Sequence, residues 1–384
     1  MPSADRIPRN PRTVAPGAPS GQGYLDELAA VAGRVGLDRI GVAPAEPLLR
    51  ARAEMAARTA EGLVNGMAFT YLKPERSTDP AALVPGARSV IVGVRSYDLV
   101  PTDGPPAGPA ARVARYAWRD HYGALKTSLR SVAGRLRTDG HRAVVFADDN
   151  SIVDREVAWL AGIGWYGKNA NILVPGAGSH FVIGCIVTTA DLPAARPVDD
   201  GCGTCERCIP ACPTGAIPRP GVIDANRCLS WLLQKPGVFP REHRVALHDR
   251  IYGCDECQTA CPFTRRREPR PADGPTESWV DVLGLLACTD EEIIRRCDRW
   301  YVHARDAVWV RRNLLVILGN IGDGNDPATA EAVRHALGDP RGVLRAHAVW
   351  AAARLGLTHL LPGSDPDPMV AAELAVLPAL RGPV

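Results

Sequence analysis

Eight cysteines between residues 202 and 261 have types and spacing that point directly to chemistry. They read Cys202-Gly-Thr-Cys205-Glu-Arg-Cys208-Ile-Pro-Ala-Cys212-Pro213, then a lone Cys228, then Cys254-Asp-Glu-Cys257-Gln-Thr-Ala-Cys261-Pro262. Three cysteines at two-residue gaps, followed by a fourth with proline behind it, is the spacing by which a short loop lays thiolates around an iron-sulfur cubane. The second half repeats the ending, with its first cysteine moved upstream to Cys228. In two-cluster ferredoxins the fourth cysteine of each run crosses to the other cluster. Cys202, Cys205, Cys208 and Cys261 are therefore assigned to one 4Fe-4S cluster, and Cys212, Cys228, Cys254 and Cys257 to a second. Zinc sites also use paired Cys-x2-Cys knuckles, but they call for neither the third cysteine nor the Cys-x3-Cys-Pro ending that occurs here twice. A disulfide framework belongs to small secreted domains. Cys185, Cys288 and Cys297 lie in apolar or helical surroundings and read as packing residues.

The rest of the chain must position these thiols and give them something to do. At 384 residues with 46% hydrophobic content, it has room for two or three cored domains, so it is more than a bare ferredoxin. A net charge of +3 argues only weakly for a nucleic-acid partner. No apolar run approaches the roughly 18 residues that would span a bilayer, and the first residues lack the apolar stretch of a signal peptide. The expectation is a cytoplasmic protein without membrane contact, in a compartment where thiols stay reduced.

Residues 1–22, rich in Pro, Gly, Ala and Arg, read as a disordered leader. From Tyr24 onward helical and strand patterns alternate, with helices over about 24–35, 47–60, 121–137 and 151–161. Strands are expected at 40–43, 89–94, 142–146 and 180–188. Such alternation indicates an α/β domain, and the β-branched run Ser89-Val-Ile-Val-Gly-Val94 suits a sheet covered on both faces. The Pro- and Gly-rich residues 101–109 can only be loop. Ala147-Asp148-Asp149-Asn150 follows a strand end, where open α/β sheets bind ligands. The plainer reading is that Asp149 or Asn150 caps the next helix. Gly162-Ile-Gly-Trp-Tyr-Gly167-Lys168-Asn169 is neither a dinucleotide fingerprint nor a P-loop, and its glycines suggest close backbone approach to a ligand. Beyond the cysteines, Arg265, Arg266, Arg267 and Arg270 make one compact basic run, either a solvated turn or a contact for phosphates. Residues 310–322 then align with 344–356, 34 residues on, a helical repeat of solenoid type.

Taken together these pieces resemble the epoxyqueuosine reductases, cobalamin-dependent iron-sulfur enzymes of tRNA modification. The resemblance rests on Gly41-Val-Ala-Pro-Ala-Glu-Pro47, Asp79-Pro-Ala-Ala-Leu-Val-Pro-Gly-Ala-Arg-Ser-Val90, Arg115-Tyr-Ala117, Gly162-Ile-Gly-Trp-Tyr-Gly-Lys168, Cys202 to Ala216, Ile251-Tyr-Gly-Cys-Asp-Glu-Cys-Gln258 and Arg312-Asn-Leu through Leu318-Gly-Asn320. It implies a nitroreductase-like α/β cobalamin-binding domain over 23–195, a two-cluster ferredoxin-like module over 196–272 and a helical HEAT-like tRNA-binding segment over 273–384. It further implies two 4Fe-4S clusters and cobalamin as cofactors, with Tyr116, Asp148, Lys168, Asn169 and Ser179 contacting the cobalamin. Asp148 falls on the family's proton donor, although its flanks Ala147-Asp148-Asp149-Asn150-Ser151 depart from the family's Val-Asp-Ser-Ala-Pro. Asp120-His121-Tyr122 and Ser230-Trp-Leu-Leu-Gln-Lys235 also depart from their counterparts. The Asp-x-His-x-x-Gly cobalt-ligand motif is absent, since Asp139-Gly-His141 lacks the glycine, in keeping with the family. The implied activity is two-electron reduction of epoxyqueuosine in tRNA to queuosine, by a monomer fed by an external low-potential donor. Arg311, Arg312 and Arg345 are expected to join the 265–270 run in facing tRNA phosphates. The alternatives are a paralogous cobalamin and iron-sulfur reductase acting on a small electrophile, as in reductive dehalogenation, and a non-catalytic electron-transfer protein.

Overall fold

The computed structural model describes residues 17–377, which form two compact units. Residues 1–16 of the expected leader lie outside the described residues. The remainder of that leader is tied down: the Gly21 N–H donates to Asp191 O at 3.1 Å, and helix α1 begins there, at Gly21–Arg34.

The first unit runs to Tyr97 and resumes over His121–Cys205. Its sheet is built from β1 (Arg39–Pro44), β2 (Ser89–Ser96), β3 (Ala143–Ala147) and β4 (Phe181–Thr188) in the order β1-β2-β4-β3. Every ladder in it is antiparallel. The alternation of strands and helices thus does not produce the parallel sheet that usually accompanies it. Both faces are nevertheless covered. On one side α1 and α3 (His121–Thr138) pack, α2 (Leu49–Ala60) lying between them in the chain, and Gly93 and Gly184 face each other across β2 and β4. A Cβ on either would strike Leu129 of α3 at 2.9 or 2.7 Å, so two missing side chains admit one large one. On the other side α4 (Asp154–Leu160) lays Val157 and Ala158 against Val90, Val92, Ile183 and Cys185. The helix expected from residue 151 starts three residues later because the chain first closes a turn at Asp149.

The second unit comprises Asp98–Asp120 and everything from Glu206. The first of these segments is central to it: Ala110–Val113 pairs antiparallel with Trp279–Asp281 and parallel with Arg250–Tyr252. Asp103, within the loop read from residues 101–109, anchors this arrangement by accepting hydrogen bonds from the Ser278 N–H (2.7 Å), the Ser278 hydroxyl (2.9 Å) and the Trp279 N–H (3.2 Å). Short helices α5 (Leu229–Leu232) and α6 (Arg241–Leu247) precede α7 (Val308–Ile321), α8 (Pro327–Leu337), α9 (Gly342–Arg354) and α10 (Pro368–Ala375). The two aligned sequence stretches are α7 and α9, which pack on each other. The same starting device recurs in α8 and α10, where Asp326 and Asp367 cap the helix from the N-cap position with proline at N1.

Candidate active site and cluster ligands

The thiols of the second proposed cluster converge from separate segments of one unit. Cys212 sits in a turn where its sulfur accepts the Ala216 N–H at 3.1 Å. Cys228 caps α5, its carbonyl receiving the Trp231 and Leu232 N–H groups at 3.0 and 2.9 Å. Burial pushes the Cys254 thiol up to about 12, with Cys228 adding to the shift against the opposing pull of the Glu256 N–H and Arg250. Burial also raises Cys257 well above the usual thiol range, reinforced by Cys254, Cys228, Cys212 and Cys208 in turn. Thiols that oppose one another's ionisation this way are close neighbours, which is the environment that a positively charged iron core relieves. Cys261 is buried in the same unit, capping a short helix at Pro262–Arg265. Cys202 and Cys205 close the first unit, where the Cys205 N–H donates to Cys202 O at 3.0 Å.

The second constellation lies at the end of β3 in the first unit. Asp148 follows the strand directly with φ +50°, a left-handed conformation that Asp and Asn tolerate better than other side-chain-bearing residues. That kink leaves its carboxylate exposed. The neighbouring Asp149 is engaged locally, since its Oδ1 accepts the Ser151 N–H at 2.7 Å and closes an Asx turn rather than capping α4 directly. Asp154, at the head of α4, has its carboxyl pushed up by burial and then by nearby Asp148, against the pull of Arg155. The half-buried Tyr122 hydroxyl is raised by burial, Asp154, Asp148 and Tyr97. Two acids and a phenol thus share one neighbourhood.

The comparisons with known proteins bear on the whole chain. A 4Fe-4S double cluster binding domain model matches residues 201–264, and the model described as epoxyqueuosine reductase QueG, DUF1730, matches residues 77–149. The epoxyqueuosine reductase of Xanthomonas campestris pv. campestris is 34% identical over 350 residues, covering 86% of this chain and 96% of that one. The chain belongs to the epoxyqueuosine reductase family. Among other members, that of Bacillus subtilis is 29% identical over 359 residues, 91% of this chain and 89% of its own. A solved epoxyqueuosine reductase holding an epoxyqueuosine-modified tRNA stem loop superposes with TM-score 0.83 at 27% identity, over 93% of this chain and 98% of that one. A Bacillus subtilis structure whose aspartate-bearing catalytic loop is swung out of the active site matches with TM-score 0.83 at 26% identity, over 93% and 99%.

Within an epoxyqueuosine reductase the remaining candidate positions fall as follows. Lys168 is half-buried, Asn169 is buried with its Oδ1 accepting the Asn171 N–H at 3.2 Å, and Ser179 is buried. All three belong to the first unit with Asp148. Tyr116 belongs to the second, its ring 5.9 Å from that of Tyr252 and its edge against Gly253, beside Cys254. The glycines of the 162–167 stretch have an internal explanation. A Cβ at Gly164 would strike Leu173 O, and one at Gly167 would strike the Leu173 and Asn169 side chains, so they admit the protein's own hairpin Trp165–Tyr166 and Ile172–Leu173. At these two positions the protein's own packing already requires glycine.

Three arginines expected to face phosphates are also corrected. Arg311 donates to Asp290 Oδ1 at 2.7 Å and to Leu286 O at 2.8 Å. Arg345 is bidentate on Asp365 at 2.8 and 2.9 Å. Arg312 is 1% exposed. Each commits its guanidinium to partners within the second unit. Arg265, Arg266 and Arg270 remain exposed. Sequence reasoning passed over Asp154 altogether and noted Tyr122 only as part of a departure from the family pattern. The available signal was that Asp154 stands six positions past Asp148, across a single turn.

Proposed function

We propose that this chain reduces epoxyqueuosine in tRNA to queuosine, using two 4Fe-4S clusters and cobalamin. The observation that carries the proposal is membership of the epoxyqueuosine reductase family along nearly the full length of the chain, with the cluster thiols retained. The overall change is epoxide plus two electrons and two protons giving alkene and water. When bound, the clusters and cobalamin supply the low-potential electrons and the reducing centre for this conversion. Asp148, Lys168, Asn169, Ser179 and Tyr116 would hold the cobalamin. The fit is supported by an exposed carboxylate on a left-handed residue at a strand end, beside a second acid whose proton affinity is raised.

Asp148 presents a proton to the epoxide oxygen, so that the breaking C–O bond does not have to release an alkoxide. Beside it, burial and then Asp148 raise the proton affinity of Asp154, against the pull of Arg155, so this second acid keeps a proton more readily than an isolated carboxylate would. The three-part division at residues 195 and 272, the HEAT-like character of the helical segment, action as a cytoplasmic monomer and supply by an external low-potential donor belong to the same proposal. The exposed arginines Arg265, Arg266 and Arg270 give tRNA a phosphate contact.

The test is to reconstitute the protein anaerobically with iron, sulfide and cobalamin and supply a strong reductant and tRNA carrying epoxyqueuosine. Queuosine should appear in the nucleoside digest. Protein loaded with both cofactors that reduced a small epoxide or halide but left the tRNA untouched would establish the small-electrophile alternative instead.

A further inference from the structure

The Arg312-Asn313 pair is retained from the family pattern, yet it cannot contact tRNA from where it lies. Its guanidinium is buried, and among the described residues the oxygens that accept from it are carbonyl and amide oxygens rather than carboxylates. Nη1 donates to Lys235 O at 2.6 Å and Gly237 O at 2.9 Å, and Nη2 donates to Leu232 O at 3.0 Å and Leu233 O at 3.2 Å. Nε and Nη2 also reach Asn313 Oδ1 at 3.0 and 2.7 Å, while Asn313 Nδ2 donates to Leu233 O at 2.9 Å. The rings of Phe239 and Trp309 flank the charge at 5.6 and 5.5 Å. The carbonyls it gathers are those at and just beyond the end of α5, and the residue that caps the start of α5 is Cys228.

We propose that Arg312 and Asn313 are positioning residues for Cys228, clamping the main chain of residues 232–237 so that α5 presents its capping thiol to Cys212, Cys254 and Cys257. The inference rests on the assignment of Cys228 as a cluster ligand and extends it to the residues that aim the ligand. A buried guanidinium is tolerable only when its donors are all met, so its charge can be accommodated in this geometry and in few others. Burial, and then nearby Arg244, pull it down to about 9, so at neutral pH it stays charged and keeps every donor. The carbonyls ending a helix carry the negative pole of its peptide dipoles, which makes them natural partners for a cation. Because the clamp reads main-chain oxygens, it is indifferent to the side chains it spans. Lysine could not substitute, having three donors at one point where a planar fork must serve four carbonyls.

The experiment compares Arg312→Lys and Asn313→Ala with Cys228→Ser and with Glu373→Gln. The last weakens the buried Arg244–Glu373 pair (2.7 Å) in the same unit without touching residues 232–237. Each anaerobically reconstituted protein is followed by far-UV circular dichroism, by iron release to a chelator, and by electron paramagnetic resonance of each reduced cluster. Losing a residue that orients a metal ligand costs roughly 10- to 100-fold in metal retention. Arg312→Lys should accordingly release about half its iron roughly 10-fold or more faster and shift the potential of one cluster only, with the helical signal intact. Asn313→Ala should do the same to a smaller degree. If Glu373→Gln accelerated iron loss equally, or if Arg312→Lys and Asn313→Ala both matched wild type while Cys228→Ser emptied one cluster, the clamp would be ordinary scaffold and the proposal overturned. Both clusters surviving in Cys228→Ser would instead overturn the ligand assignment beneath it.

Discussion

Replacing Asp148 by asparagine removes an acid from the site while changing almost nothing else, and the backbone is the reason. At φ +50° an asparagine is as comfortable as an aspartate, whereas alanine would add roughly 1 kcal/mol or more of strain and blur the result. The Asp148 carboxylate is exposed, so its loss leaves no buried partner unsatisfied. Folding and both clusters should therefore survive, and asparagine, close to aspartate in shape, can keep the contact that Asp148 would make to the cobalamin. What disappears is the acid, and a positioned general acid is worth about 10² to 10⁴ in rate, or roughly 2.7 to 5.5 kcal/mol of transition-state free energy. Asp149→Asn is the matched control one residue away. Its Oδ1 accepts the Ser151 N–H at 2.7 Å on the surface, and an amide oxygen can occupy the same place. The expected cost is about 1 kcal/mol of stability or less, with turnover unchanged. The assay is single-turnover formation of queuosine in tRNA by protein matched for iron and cobalamin content. Loss of chemistry in Asp149→Asn with retention in Asp148→Asn would place the acid one residue along. Full activity in both would refute the proton-donor reasoning.

Three further outcomes follow from the same geometry. Reconstituted protein should carry about eight iron and eight sulfide per chain, and Cys261→Ala should damage the cluster assigned to Cys202, Cys205 and Cys208; loss confined to the other cluster would show that the ligands do not cross. Neutralising Arg265 and Arg270 together should weaken tRNA binding and flatten its dependence on salt by about one unit of slope, or slightly less, per lost contact, whereas neutralising Arg345, held on Asp365, should leave the slope alone. His347 is fully buried, accepts the Phe239 N–H through Nε2 at 3.1 Å and therefore donates from Nδ1 to Val343 O. Burial, then Arg244, hold it well below the usual histidine range. It stays neutral in the fold while the unfolded chain takes up a proton below about pH 6.5, so stability should fall by up to about 1.4 kcal/mol per pH unit as pH drops below that value. Urea unfolding across pH, compared with His347→Gln, measures this contribution, and an unchanged slope in the variant would dismiss it.

The 4Fe-4S double-cluster module over residues 201–264 was legible from sequence because a loop that wraps a cubane needs its thiols at short fixed intervals, and short intervals survive as a linear pattern. The helices and strands of the first unit were legible for a related reason: burial on one face imposes a period of 3.6 or 2 on neighbouring residues. Likewise the two stretches that align at a 34-residue offset fold as α7 and α9, which pack on each other. Strand direction was not legible, since antiparallel order in the sheet depends on where each connection returns, and alternation of elements is compatible with either arrangement. The role of residues 98–120 was equally hidden. Their central strand pairs with partners about 140 and 170 residues away in sequence, and no local period marks so distant a pairing. The arginines show the limit most clearly. Arg265 and Arg312 are the same residue type in similar local company, yet one lies exposed while the other is sealed beneath four carbonyls. Only the tertiary structure decides between them, because a guanidinium's function is set by whether water or main-chain oxygens satisfy its donors, and those oxygens come from residues 232–237, far from it in the chain.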